Sequence, residues 1–334
     1  MLTKSLRVEG SAVYTPKKKL YSNELDKELG LEEGTVFNKS GVRVRSLAAE
    51  GETQSQMAKN AAFEALQCAG MKFEELDVLV CANGLTQQLI PCNAALLQRE
   101  MGYGNSGVAC FDVNSTCLGF ITALDMVSCA FAAGRFNKAM IVVSDISSVG
   151  INWKNLESAS LFGDAAAAFV LKASDNTANS STILSAHMKT FADAVEVCEI
   201  KSGGFAKLAY NYTSDNHEEF LFSMDGPKVF KIAAQYINRF VDDTLAKAGY
   251  SMSDVDHVIP HQASKSAMEL IRRRLNIPES KLHRIIENAG NCVAASLPMA
   301  FHDAIATGRL QKGQTVLLLG TGAGVSFGAI LLRY

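Results

Sequence analysis

The chain has 334 residues, 48% of them apolar and 20% charged, with a net charge of −2. That length implies about two domains or two fused halves, and the balanced charge excludes a basic nucleic-acid binder. The eight cysteines are scattered with no C-x-x-C pair, and the opening MLTKSLRVEG has no signal-peptide core, so reduced thiols in a cytoplasmic protein are expected. No apolar run approaches the ~18 residues of a membrane span.

From the N-terminus, SLRVEGSAVYTPKKKLYSNELDKEL reads as a strand, a Pro-containing turn, a basic loop and a short helix that Asn23 could cap. GVRVRSLA then carries paired arginines near a turn. A helix is expected over Gln54 to Cys68 with Met57, Ala61, Ala65 and Leu66 on one face, followed by the strand LDVLVCAN, a loop with Pro91 and a helix from about Asn93. Val108 to Val113 next alternates small and apolar residues as a buried strand would, and Leu118, Ile121, Leu124 and Val127 recur at helical spacing. Cys117 therefore falls where a strand becomes a helix. Unpaired N–H groups and the positive dipole end at that junction lower a thiol pKa and expose the sulfur for attack. A thiolate nucleophile and a small apolar core residue are both open readings of Cys117 at this point.

The second half repeats the pattern. ALQCAGMKFEELDVLV, residues 65–80, lies without a gap over TLAKAGYSMSDVDHVI, residues 244–259, each reading as helix end, Gly stop, acidic turn and buried strand. We therefore expect an N-terminal α/β half over 1–172, a polar linker over 173–182 and a C-terminal half over 183–334.

His261 stands at the end of the second half's strand, in HVIPHQAS, just before a helix expected over Ser266 to Leu275. A strand-end His beside a thiol can act as a donor or a general acid or base near neutral pH. The other five histidines form no zinc spacing. In ENAGNCVAASLP, Asn288 and Asn291 can be turn residues, or Asn291 an amide donor aimed at developing negative charge. GTGAGVSFG, Gly320 to Gly328, lies between two apolar strands too close to the C-terminus to start a dinucleotide fold, and suits close presentation of backbone N–H groups to a substrate oxygen.

DVNSTCLGF, PHQAS, GNCVAASLP and GTGAGVSFGAILLRY, with LFGDAAAA and MDGPKVFK as further landmarks, together resemble the β-ketoacyl-acyl-carrier-protein synthase III family of thiolase-fold condensing enzymes. The match runs from the first strand to Tyr334. The resemblance implies a thiolase-like α/β fold whose duplicated halves form α-β-α-β-α layers, a homodimer, and no cofactor or metal. It implies an acyltransferase that joins an acyl thioester primer to malonyl-acyl carrier protein by decarboxylative Claisen condensation. Carried across residue by residue, Cys117 is the nucleophile, and His261 with Asn291 binds the thioester carbonyl. The backbone N–H groups of Cys117 and Gly324 form an oxyanion hole.

Some positions depart from the family pattern. Thr35 and Lys39 stand where members using a coenzyme A primer place Trp and Arg, and Leu156 replaces a further Arg; Thr cannot stack on adenine and Lys offers only a point charge. Ile90, at a position often Phe, is expected to open the acyl pocket to primers longer than acetyl. Lys231, Lys265, Arg272, Arg273 and Arg274 are a solvated face or a dock for an acidic carrier protein. The irregular stretch Lys201 to Glu219 is a candidate flap. A specialised condensing or acyl-transfer enzyme of secondary metabolism, a cysteine hydrolase and a non-catalytic subunit of the same fold are the alternatives.

Overall fold

The computed structural model describes residues 4–174 and 180–334, so residues 175–179 of the expected linker lie outside the described residues. In the first half the strands are β1 (Lys4–Tyr14), β2 (Lys18–Tyr21), β3 (Val44–Leu47), β4 (Val78–Cys81), β5 (Ala109–Asp112), β6 (Lys138–Asp145) and β7 (Ala165–Ala173). The helices among them are α1 (Ser22–Glu28), α2 (Thr35–Ser40), α3 (Gln54–Ala69), α4 (Asn93–Glu100), α5 (Gly119–Ala132) and α6 (Leu156–Ala159). The second half holds β8 (Ser181–Thr190), β9 (Cys198–Glu199), β10 (Ser223–Met224), β11 (His257–Pro260), β12 (Thr315–Gly322) and β13 (Ser326–Arg333). Its helices are α7 (Gly226–Ala246), α8 (Lys265–Arg274), α9 (Ile286–Ala289) and α10 (Ser296–Ala306).

Nine strands form one mixed sheet in the order β11-β12-β13-β8-β1-β7-β6-β4-β5. Its central strands are buried on both faces, which explains their continuous apolar runs. Alternate residues point to different clusters. Leu79, Met140, Val142 and Val170 pack under α3 and α4, and Leu317, Leu319 and Leu331 pack under α7 and α8. Val80, Ile141, Phe169, Leu318 and Ile330 turn the other way onto α5 and α10. The order of layers is thus outer helices, strands, the α5–α10 pair, strands and outer helices, the thiolase-like arrangement.

Several local expectations need correction. The basic loop is strand β2, which pairs antiparallel with β3, and its Lys18 and Lys19 are exposed, with Lys19 Nζ donating to the Ser46 hydroxyl at 2.6 Å. Helix α1 starts at Ser22, so Asn23 lies inside its first turn and Tyr21 occupies the cap, its N–H bonded to Glu24 Oε2 at 3.0 Å. β5 is not a buried strand but, among the described residues, an edge paired only with β4, and Ala109 and Phe111 are exposed. One of its faces still packs on α4 through Cys110, which accounts for the alternation.

Helix α5 buries Phe120, Ile121, Leu124, Val127 and Phe131 against both sets of strands. Its first residue has no room for a side chain. A Cβ on Gly119 would sit 2.1 Å from the Ala82 carbonyl oxygen, so Gly119→Ala must shift the helix or the end of β4. We expect that substitution to destabilise the protein by about 1–3 kcal/mol, read as a lower urea midpoint; an unchanged midpoint contradicts the packing described.

Candidate active site

Four chain segments meet at one cavity of about 830 Å³: the corner before α5, the loop after β11, the loop after α9 and the β12–β13 turn. Cys117, His261 and Asn291 all line it, together with Thr321, Gly322 and Ala323. The sequence separates these groups by up to 206 residues (117 to 323), and the parallel and hairpin pairings of the sheet bring them together.

At the corner, Thr116 adopts a positive φ of 49°, a conformation that threonine rarely takes. Its N–H donates to Asn114 Oδ1 at 2.9 Å and its hydroxyl to the Ser115 carbonyl at 2.8 Å. Gly322 leaves room for it, because a Cβ there would lie 2.8 Å from Thr116 Oγ1. The corner holds Cys117 half-buried on the cavity floor.

The backbone N–H groups of Cys117 and Ala323 are turned toward the Cys117 sulfur and act to lower its pKa. Gly324, the residue expected there, is absent from the cavity wall. Strand β12 ends at Gly322, so the first residue of the tight turn presents its N–H inward, while Gly324, at φ 129°, faces Ser326 and Thr190. The thiol itself is also unlike the expectation. Burial, with the charges of Cys198 and Asp145 added, pushes its pKa up to about 12, and the two N–H donors offset only part of this. Desolvation of the thiolate outweighs the helix terminus here.

His261 is buried, its N–H continuing the β11–β12 ladder to the Leu319 carbonyl at 2.7 Å. Burial lowers its imidazole to about 4 and Nδ1 has no partner, so the ring is neutral at pH 7 and offers one donor. The next residue, Gln262, is fully buried and pins this loop. Its amide nitrogen donates to the Pro260 and His283 carbonyls, and its oxygen accepts from the Ile285 and Ile286 N–H groups.

The Asn291 oxygen accepts from the Val293 N–H at 2.9 Å and the Ser296 hydroxyl at 3.3 Å. That orientation gives one amide hydrogen to the Ala263 carbonyl at 3.2 Å and leaves the other for the cavity.

Asp145, at the end of β6, had no mark in the sequence to separate it from any strand-end acid. It is fully buried and accepts N–H bonds from Gly84 at 3.2 Å, Leu85 at 2.9 Å and Ala294 at 3.0 Å. Burial still raises its carboxyl to about 7.

Other expected residues are dispersed. Lys39 lines the cavity, whereas Thr35 and Leu156 do not. Ile90 is 72% exposed and also lies outside the wall. Two of the three arginines of the run are paired, because the spacing of α8 puts Glu269 on the same face. Arg272 and Arg273 reach Glu269 at 2.7 and 2.6 Å, and Arg272 reaches Glu279 at 3.3 Å. Lys265 sits 5.8 Å from the Phe37 ring. The segment Lys201 to Glu219 contributes no lining residue, although Ile200 and Phe222 at its two ends do. Among the described residues no His, Cys, Asp or Glu group is arranged for a metal, and no helix is long and apolar enough to cross a membrane.

Residues 111–192 match the family model described as 3-oxoacyl-[acyl-carrier-protein] synthase III, and residues 245–334 match the model of its C-terminal part. The beta-ketoacyl-[acyl-carrier-protein] synthase III of Methylococcus capsulatus is 32% identical over 98% of this chain and 98% of its own. The chain belongs to this family. The crystal structure of the Aquifex aeolicus 3-oxoacyl-[acyl-carrier-protein] synthase III covers 98% of this chain and 100% of its own, with 31% identity and a TM-score of 0.87. The OleA structure from Xanthomonas campestris is equally close in shape, with a TM-score of 0.87 over 100% of both chains, and at 19% identity that likeness is one of fold. This synthase III relative is accordingly a thiolase-fold condensing enzyme of the acyltransferase class.

The raised thiol makes a prediction. Alkylation of Cys117 by iodoacetamide, followed by peptide mass spectrometry, is expected to keep accelerating as pH rises to 10. A plateau below pH 8 would instead report a low-pKa thiolate.

Proposed function

We propose that the protein condenses an acyl thioester primer with malonyl-acyl carrier protein through an acyl-Cys117 intermediate. The observation that carries this reading is the convergence of Cys117, His261, Asn291 and the Ala323 N–H on one cavity. The Cys117 sulfur attacks the primer carbonyl as its proton leaves, and the N–H groups of Cys117 and Ala323 hold the resulting oxyanion. The C–S bond to the carrier breaks, and the carrier thiolate takes up a proton.

Malonyl thioester then enters. Its bond to the carboxylate breaks, CO₂ departs, and the electron pair moves into an enolate whose oxygen accepts from His261 and Asn291. A neutral imidazole and an amide stabilise that charge without protonating it as a strong acid would. The enolate carbon attacks the acyl-Cys117 carbonyl, the C–S bond breaks, and a 3-oxoacyl thioester leaves while Cys117 regains a proton.

In this reading the primer arrives on a carrier protein rather than on coenzyme A, because Thr35 and Lys39 supply neither an adenine stack nor a bidentate phosphate fork. Lys39, Lys231, Lys265 and Arg274 would meet the acidic carrier, with Arg272 and Arg273 already engaged by Glu269. The two chain halves, 1–172 and 183–334, act together, one bringing Cys117 and the other His261 and Asn291. The chain works as a homodimer joined at the open edge of β5, where Leu89, Ile90 and Phe111 are exposed. Light scattering is expected to give twice the mass of the 35.9 kDa chain; a monomer throughout the micromolar range contradicts the dimer.

Intact-protein mass spectrometry with acyl donors on coenzyme A and carrier protein tests the chemistry. An acyl adduct is expected on the wild type and not on Cys117→Ala. His261→Ala and Asn291→Ala should still accept the acyl group but decarboxylate malonyl thioester about 10²–10³-fold more slowly. Full condensation activity in Cys117→Ala would overturn the reading.

A further inference from the structure

The stretch GVRVRSLA places two arginines two positions apart, and the fold treats them differently. Arg43 is exposed and pairs with Glu287 of α9, its Nε donating at 2.9 Å. Arg45, in β3, is 1% exposed, and among the described residues it has no carboxylate within ion-pairing distance. Burial lowers its pKa only to about 10, so it stays a cation at neutral pH. One terminal nitrogen of the guanidinium donates to the Ser160 carbonyl at 2.8 Å and the other to the Ala159 carbonyl. These carbonyls end α6, a helix of four residues that is too short to hold its own terminus. The Arg45 stem packs beside two glycines. A Cβ on Gly163 would lie 3.1 Å from the Arg45 Cβ, and one on Gly290 would lie 3.4 Å from it.

Both glycines adjoin Asn291, one in sequence and one by a hydrogen bond. The Asn291 N–H donates to the Leu161 carbonyl at 2.9 Å and its carbonyl accepts from the Gly163 N–H at 3.0 Å, a parallel bridge opposite Phe162. The backbone that carries the Asn291 amide therefore hangs on Leu161–Gly163, and that segment runs straight on from the carbonyls that Arg45 grips. An apolar side chain would fill the same gap without burying a cation. It could not hold two carbonyls in one plane, and Lys offers only a point charge. The Cys117 corner, by contrast, is fixed by Asn114, Ser115 and the space at Gly322. We propose that Arg45 is the positioning residue for Asn291: its fork fixes this bridge so that the free amide hydrogen of Asn291 meets the enolate oxygen as malonyl thioester loses CO₂. The proposal rests on the role of Asn291 in the proposed condensation.

The two half-reactions read this role separately. Second-order rates of Cys117 acylation by acetyl and octanoyl thioesters of N-acetylcysteamine, assigned by peptide mass spectrometry, report the first. Enzyme already acylated on Cys117 is then mixed with malonyl-N-acetylcysteamine over a range of concentrations, and timed CO₂ release gives a maximal rate and a half-saturation value. Arg45→Lys and Arg45→Met are expected to lower that maximal rate about 10–100-fold, as a misplacement of about 1 Å does, while half-saturation and acylation stay within about threefold. In the Asn291→Ala background Arg45→Lys should slow CO₂ release by less than about threefold further, because the amide it positions is gone. Should Arg45→Met fail to fold, as circular dichroism would reveal, Arg45→Lys, which keeps the stem beside Gly163 and Gly290, carries the test. Three results overturn the positioning role and leave the reaction intact: acylation and CO₂ release falling together, effects of Arg45→Lys and Asn291→Ala that multiply, or wild-type rates in the Arg45 variants while Asn291→Ala is slow. Wild-type CO₂ release by Asn291→Ala overturns the role of Asn291, and the assignment of Arg45 falls with it.

Discussion

The carboxyl group of Asp145 receives N–H bonds from Gly84 and Leu85 on one side and from Ala294 on the other. A dry carboxylate costs several kcal/mol unless its oxygens are satisfied, so the two loops that satisfy it are held in one relation. The first loop abuts Thr116, because a Cβ on Gly84 would already lie 3.5 Å from the Thr116 carbonyl carbon and 2.5 Å from Val293. The second follows directly on Asn291. One buried carboxyl group thus sets the spacing between the Cys117 corner and the Asn291 amide.

The same dryness governs ionisation. Burial drives the Cys117 thiol up and the His261 imidazole down, so the resting site holds a thiol and a neutral ring rather than a thiolate–imidazolium pair. In the proposed reaction this suits both half-reactions. Sulfur gains its charge only as the acyl carbon is attacked, when the N–H groups of Cys117 and Ala323 are in place. His261 meets the later enolate as a neutral donor. A resting imidazolium would protonate the carbanion and divert the malonyl unit to acetyl thioester.

Much of this was legible in the chain. The periodicity of Leu118, Ile121, Leu124 and Val127 located α5, and four ordered motifs pointed to the family and to residues that share one cavity. Other features depend on three-dimensional neighbours. Val108–Val113 alternates whether it is central or at an edge, and only the absence of a partner beyond β5 distinguishes the two. The glycine-rich turn offers adjacent N–H groups, and with β12 ending at Gly322 it is Ala323 rather than Gly324 that lines the cavity. The helix-terminus argument for Cys117 was sound in sign but smaller than desolvation, a term invisible until the apolar walls are assembled. Asp145 stands in no motif and Gln262, although inside PHQAS, has nothing local to mark it, since the importance of both lies in which loops they bridge.

Charge and shape divide the recognition of substrate between them. Glu269 takes up Arg272 and Arg273 and also reaches Arg284 at 3.1 Å, which leaves the region around α8 less positive than its sequence suggests. The lysines that remain are exposed point charges, and salt screens such contacts over about 8–10 Å. In the proposed docking, an acidic carrier meeting these groups would be steered without regard to its acyl cargo, because every carrier presents the same charges whatever it bears. Discrimination among primers must then arise where the cargo itself is touched.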